Sequence, residues 1–531
     1  MTKRDDSSAP TALIGVWIPS HFREMARVAE LLAEGGAFCA LVVILANYTG
    51  YAEHAQRLRS RGIAVLTADE FWRALEEPGA VAPQPLAAVA AEAESGAMPP
   101  ARGATGAMKR ALWSAARAAR AVPLKGVGGA LVRAVLAPLA PLVRWSLLGA
   151  FAAASHAAPG LLPSNIVMQR ALVRALPRFL AERRVALLVL PEDNFLYATN
   201  AWVRAVHQRG GAAVIVPFTI ANVRELAESL YHSPVYDGDT LLNAAVAAAF
   251  PRWSHRHKAK RLVLGPEYVV ANEALGIAPP APWLINSGEA DAMAVESEYL
   301  ASYYRRAGIP DRQLRVTGSL AEDAAWRVLR EAHARREALY AELGFEAGRP
   351  MILCALPPDQ LGGAGRPECD FADHAALLAF FVKPLAALAD AYNVVLSPHP
   401  RIAPEEARRL EAPGVRACTR DVAELIPLAS IYVASCSATI RLAVACGIPV
   451  VNYDVYRYDY EDFKGIPGVI ATQEKDAYVQ TVERLARDAG EYARARTAQQ
   501  AFAAREMRLD GHAGERLLAL FDELAAKAPH G

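Results

Sequence analysis

Short apolar runs alternate with segments of helical period along most of the chain. Ala12–Pro19 (ALIGVWIP), Phe38–Ala46 and Ile63–Leu66 read as buried strands, with helices from about Arg23 to Ala33 and around Tyr51–Arg61. The pattern breaks after about Pro83. It returns with a helix over Ile166–Arg184, the strand Val185–Leu190, a helix over Phe195–Gln208 and the strand Ala212–Val216. Leu284–Ser287, Ala292–Val295 and Leu314–Gly318 are strand pieces around a helix at Glu298–Ala307, and an Ala-, Arg- and Glu-rich helix then runs to about Leu343. A second series follows: strands at Met351–Leu356, Asn393–Ser397, Val415–Cys418, Ile431–Ala434 and from Val450, with helices at Ala372–Ala389 and near Glu405–Leu410. Wholly apolar strands separated by helices predict an α/β protein with parallel, doubly wound sheets, whose ligand face is the carboxyl end of the strands. At 531 residues the chain is too long for one core. The pattern divides it into an N-terminal domain over 11–320 with an insertion at about 83–163, a C-terminal domain over 349–475, and terminal helices over 476–531.

Polar residues gather where strands end. Ile431–Ala434 runs into Ser435-Cys436-Ser437-Ala438-Thr439, a strand-to-helix turn whose N–H groups could hold a phosphate; the plainer reading is that Ser437 or Thr439 caps the helix. Asn393–Ser397 ends in Pro398-His399-Pro400-Arg401, and Val185–Leu190 ends in Pro191-Glu192-Asp193-Asn194. Two acids at the end of a buried parallel strand suit a general base, and the competing reading makes Asp193 or Asn194 a helix cap. His21, at the carboxyl end of the first strand, either touches an acceptor or, as a lone loop histidine, is a solvated neighbour. The rings of Tyr456, Tyr458 and Tyr460 either stack on a ligand or pack on the core. The loop Pro357–Gly365 has neither the P-loop Lys-Ser/Thr nor GxGxxG, so it predicts no ATP or NAD site and reads as a Gly-rich lid or a plain long loop. Trp253–Lys258 reads as a basic surface loop, since His255 and His257 have no acidic neighbour with which to bind zinc.

The HP dipeptide at a strand end, the S-x-S-x-T turn and the helix ending in Gly447-Ile448-Pro449-Val450-Val451 together resemble the C-terminal half of GT-B-fold glycosyltransferases. The resemblance is nearest to those that build bacterial capsule and other surface polysaccharides. It implies two Rossmann-like domains facing a cleft, a nucleotide-sugar donor bound by the second, and a lipid-linked or polysaccharide acceptor. On that view Glu192, Asp193 and His399 are catalytic, and Arg401, Ser435, Ser437, Thr439, Arg441 and Tyr456 hold the donor, with no metal and no cofactor. Two departures stand out. Asn194 replaces the Gly of the acidic motif, and Leu442 stands where many relatives place an acid that contacts ribose. The resemblance also extends to CDP-glycerol-type phosphotransferases and UDP-sugar 2-epimerases, and a non-catalytic scaffold of a polysaccharide assembly complex is the non-enzymatic alternative.

Composition adds less than charge placement. A hydrophobic fraction of 53%, a charged fraction of 21% and a net charge of +1 describe an ordered globular chain with no global attraction to nucleic acid. Between Glu94 and Glu182 there is no acid, but eleven basic residues: Arg102, Lys109, Arg110, Arg117, Arg120, Lys125, Arg133, Arg144, Arg170, Arg174 and Arg178. Within this window residues 131–151 (LVRAVLAPLAPLVRWSLLGAF) are apolar but interrupted by Arg133, Arg144, Pro138 and Pro141, which argues against a membrane span. The segment suits the interface of an anionic leaflet, with Trp113 and Trp145 at the boundary, or else a helical insertion or partly disordered linker. Six cysteines without a C-x-x-C pair read as reduced thiols, and Cys436 has no neighbouring base to make it a nucleophile. The polar start MTKRDDSSAP lacks the apolar region of a signal peptide, so the expected location is the cytoplasm, peripheral to the inner face of the plasma membrane.

Overall fold

A computed structural model describes residues 9–48, 50–75, 124, 126–157, 162, 164–361 and 369–527. The basic residues at 102–125 and the Gly-rich stretch 362–365 lie outside the described residues. The chain separates into two units. The first comprises Met1–Ala294, Arg305–Leu314 and Leu518–Gly531, and the second Val295–Tyr304 and Arg315–Leu517.

The N-terminal sheet is built from β1 (Thr11–Val16), β2 (Cys39–Ile44), β3 (Ala64–Leu66), β4 (Val185–Leu190) and β5 (Ala212–Ile215), with a hairpin β6 (Ser254–His257) and β7 (Lys260–Val263) apart from it. With β8 (Ala292–Val295) and β9 (Leu314–Val316) the order is β3-β2-β1-β4-β5-β8-β9. β1 lies parallel to both β2 and β4, so the winding direction reverses between β1 and β4. The second sheet consists of β10 (Met351–Ala355), β11 (Asn393–Ser397), β12 (Val415–Ala417), β13 (Ile431–Ala434), β14 (Val450–Tyr453) and β15 (Val469–Thr472). Its order is β12-β11-β10-β13-β14-β15, all pairs are parallel, and its reversal falls between β10 and β13. Both sheets are thus Rossmann-like and doubly wound. Their central strands are buried on both faces, which is why Val185–Leu190 and Ile431–Ala434 carry apolar runs rather than alternation.

Several expectations need correction. Trp253–Lys258 is no surface loop: Trp253 is fully buried and the histidines sit on the β6–β7 hairpin, where His257 meets Glu228 at 3.0 Å. Leu284–Ser287 forms turns rather than a strand. The long helix to Leu343 is two helices, Leu320–Arg330 and Ala332–Leu343, the first opened by a Ser319/Glu322 capping box.

Candidate active site

In a doubly wound sheet the loops at the reversal point diverge and leave a crevice at the strand carboxyl ends. In the first unit that position is occupied by the residues after β1 and β4. Pro19, which suits the first helical position, starts the helix Pro19–Gly35 earlier than the pattern suggested. His21 is therefore helical and completely buried, not a solvated loop residue. Its ring packs edge-on against Phe218 (centroids 4.5 Å apart), Tyr197 (5.7 Å) and Trp17 (6.2 Å). Nδ1 accepts the backbone N–H of Trp17 at 3.3 Å, which leaves the proton of the neutral ring on Nε2. Nε2 has no hydrogen-bond partner among the described residues and lies 3.4 Å from Oε1 of Glu192.

The two acids after β4 have different surroundings. The Asp193 N–H donates to Asn286 Oδ1 (2.7 Å), the Asn286 N–H donates to the Asp193 carbonyl (2.9 Å), and Thr199 Oγ1 donates to Asp193 Oδ1 (2.7 Å). Oδ2 is buried with no partner among the described residues, and it lies so close over Gly288 that a Cβ there would stand 1.6 Å from it. Asp193 is thereby enclosed by its own unit. Glu192 keeps 8% of its side chain exposed, and its Oε1 faces His21 and, at 3.5 Å, the Asn194 amide. The cap is Asn194, whose Oδ1 accepts the Leu196 N–H at 3.0 Å. It opens only a short 3-10 turn, Phe195–Tyr197. Ala198, at φ 55°, breaks the expected helix, which starts at Thr199.

Burial raises the Asp193 carboxyl to about 6; the Thr199 hydroxyl opposes this, and the charges of Glu192 and Glu289 add to it. The folded state thus holds this proton to higher pH than the unfolded chain. Stability falls as pH rises from about 4 to about 6 and is level above, a loss of about 3 kcal/mol. Asp193→Asn removes the titration. In urea unfolding, the stability of the variant relative to the parent is expected to improve by about 3 kcal/mol between pH 4 and pH 7; an unchanged difference would refute the assignment.

In the second unit the reversal between β10 and β13 carries the hydroxyl-rich turn. Cys436, at φ 45°, bends the chain away from β13, and its N–H donates to Asn452 Oδ1 at 2.8 Å. Ser435 is buried, and its Oγ accepts the Val455 N–H at 3.4 Å. Ser437 Oγ lies 2.7 Å from Thr439 Oγ1, which also bonds the buried Tyr432 hydroxyl. Thr439 occupies the cap position of the short helix Ile440–Ala445 without a side-chain cap bond. His399 follows β11 at the same end of the sheet, half-buried, with Nδ1 accepting the N–H of exposed Arg401 at 3.1 Å. Tyr456 is buried, and its hydroxyl donates to the Pro358 carbonyl, so it ties the loop after β14 to the loop after β10. Asp454, absent from the sequence reading, organises that loop by accepting the N–H groups of Tyr458 (2.9 Å) and Asp459 (2.7 Å) and the Gln473 amide (2.7 Å).

Arg441 is engaged elsewhere. Its Nη1 pairs with Glu296, its Nε donates to the Ala438 carbonyl at 2.9 Å, and only 13% of its side chain is exposed. Around it lie acids that burial holds above the usual carboxylate range. Glu322 is raised by burial and then by Glu296; Asp462 is raised by burial; the charge of Arg441 lowers both. Nothing in the sequence linked Glu296 or Glu322 to Arg441, because the segments are far apart along the chain.

Among the described residues no group of three His, Cys, Asp or Glu side chains is placed to hold a metal ion. No protein-family model matches the chain, and no curated protein matches it in sequence. Solved structures resemble it at low identity. A UDP-GlcNAc 2-epimerase from Neisseria meningitidis bound to UDP-GlcNAc has 10% identity and a TM-score of 0.48, over 97% of this chain and 100% of that one. The kitacinnamycin glycotransferase has 12% identity and a TM-score of 0.47, over 98% and 100%. A wall teichoic acid polymerase has 12% identity and a TM-score of 0.41, over 66% of this chain and 76% of its own.

Proposed function

We propose that the chain is a glycosyltransferase that moves a sugar from a nucleotide-activated donor to a lipid-linked or polysaccharide acceptor of the bacterial surface, on the cytoplasmic side where such donors are made. One observation supports this above the others. Each sheet gathers its polar chemistry at its own reversal point, a carboxylate with a buried histidine in the first unit and a hydroxyl-rich turn in the second. Glu192 is the base in this reading, because the Asp193 carboxylate is enclosed by Thr199 and Gly288 whereas Glu192 faces His21. The acceptor hydroxyl gives its proton to Glu192 while its oxygen bonds to the anomeric carbon. The bond from that carbon to phosphate breaks, and the electron pair leaves with the nucleoside phosphate. His399, Arg401, Ser437 and Thr439 meet the charge that develops there, a role that asks for no metal. Tyr456 is assigned to shaping the donor loop, and Arg441 to holding the turn from behind.

The test is thermal stabilisation by UDP, CDP, CMP, GDP and dTDP. One nucleotide at about a hundred times its Kd is expected to add about 2.7 kcal/mol, and Ser437→Ala or His399→Ala to abolish that gain. The nucleotide that stabilises separates sugar transfer from a CDP-glycerol donor. No stabilisation by any of them would turn the assignment toward a non-catalytic scaffold.

A further inference from the structure

The first unit carries one surface that the transfer reaction does not use. Helices Gly126–Leu136 and Ala140–Ala157 form a pair bent by 80° around Pro138. No single helix among the described residues is long and apolar enough to cross a membrane. One face of the pair is tied down. Val143, Leu147 and Leu148 pack on the core around Trp253 and Phe250, and Phe151 and Ala154 on that around Ile166. Arg133 donates to the Leu124 carbonyl (3.0 Å) and Asp239 (2.9 Å), and Arg144 lies 3.7 Å from Glu273 with its guanidinium 5.4 Å over the Phe250 ring. These anchors fix which face points outward.

That outward face is apolar. Leu131 is 66% exposed, Val135 52%, Leu139 43%, Leu142 59% and Trp145 74%; among the described residues Leu241 is the one other exposed large hydrophobic side chain. Five such side chains on one bent pair are a cluster that a soluble surface does not ordinarily leave open. We propose that this pair is a docking surface for an anionic membrane, lying in the plane of the interface with Trp145 and the leucines among the lipid headgroups and upper acyl chains. Charge selects this occupant over a protein groove. The window between Glu94 and Glu182 has eleven basic residues and no acid, six of the basic ones at positions 102–125 directly before the pair. A run of basic residues without an acid, leading along the chain into an apolar pair, complements an anionic leaflet.

The test uses the full chain in flotation with phosphatidylcholine vesicles, with and without phosphatidylglycerol. Binding is expected to require phosphatidylglycerol and to weaken as salt rises. Leu142→Glu with Trp145→Glu, both at exposed positions, is expected to lower vesicle binding about tenfold or more with Tm and nucleotide stabilisation unchanged. Equal binding by variant and parent, or no binding by the parent, overturns the proposal. So does a dimer in light scattering that the same substitutions dissociate, since the face would then belong to a second copy of the chain. Failure of the nucleotide panel leaves this outcome untouched, because the vesicles read a different surface.

Discussion

Glu192→Gln is expected to lower kcat for transfer about 10²- to 10⁴-fold, the range a positioned general base contributes, while leaving nucleotide stabilisation and Tm close to those of the parent. The reason is local. Gln keeps the length and the acceptor oxygen that faces Asn194, so the loop after β4 has no cause to move. What disappears is the charge able to take the acceptor proton. Asp193→Asn serves as the control. If Asp193 were the base, its variant would be the inactive one and Glu192→Gln would retain activity. The buried oxygen Oδ2, pressed over Gly288, argues for the first outcome. His21 is a positioning residue in this scheme: Nδ1 is fixed by the Trp17 N–H, and Nε2 lies 3.4 Å from Oε1 of Glu192. His21→Phe should keep the ring packing against Phe218 and Tyr197 and shift the acid limb of the pH–rate profile, with a smaller fall in kcat than Glu192→Gln. A loss of Tm with no change in that limb would reduce His21 to a packing residue.

The difference between His21 and Glu192 shows how far the sequence could be read. Strands such as Val185–Leu190, Asn393–Ser397 and Ile431–Ala434 are found in full, because an apolar run buried on both sides has one physical meaning. Acids and hydroxyls directly after those strands follow from the same rule, since a parallel sheet presents its carboxyl ends to ligands. His21 escaped because its burial depends on Tyr197 and Phe218, which arrive from β4 and β5, and on a helix that starts at Pro19 rather than later. Gly288 escaped for a related reason. A glycine demanded by the carboxylate of a residue nearly a hundred positions earlier leaves no local trace, unlike Gly36, which closes the helix Pro19–Gly35 at φ 67°. The edge strand β15 was missed because it is half-exposed and its run Val469–Thr472 is short.

Arg441 is the residue whose reading changes most, and its removal carries the second large effect. Arg441→Met is expected to destabilise the second unit by about 3–5 kcal/mol, the cost of leaving a buried charge without its partner. Glu296 would remain a buried residue, beside Glu322, which is 2% exposed and already protonated more readily than usual. A neutral replacement on both sides tests the pair directly. In the double variant Arg441→Met, Glu296→Gln most of the stability should return, so the cycle is expected to show a coupling of about 3 kcal/mol or more. Nucleotide stabilisation measured on that double variant then decides between the two roles. If Arg441 holds the turn Ser435–Thr439 through the Ala438 carbonyl and Glu296, the refolded double variant binds nucleotide nearly as well as the parent. If its guanidinium met the donor phosphate, binding would stay lost in a protein whose fold had been restored.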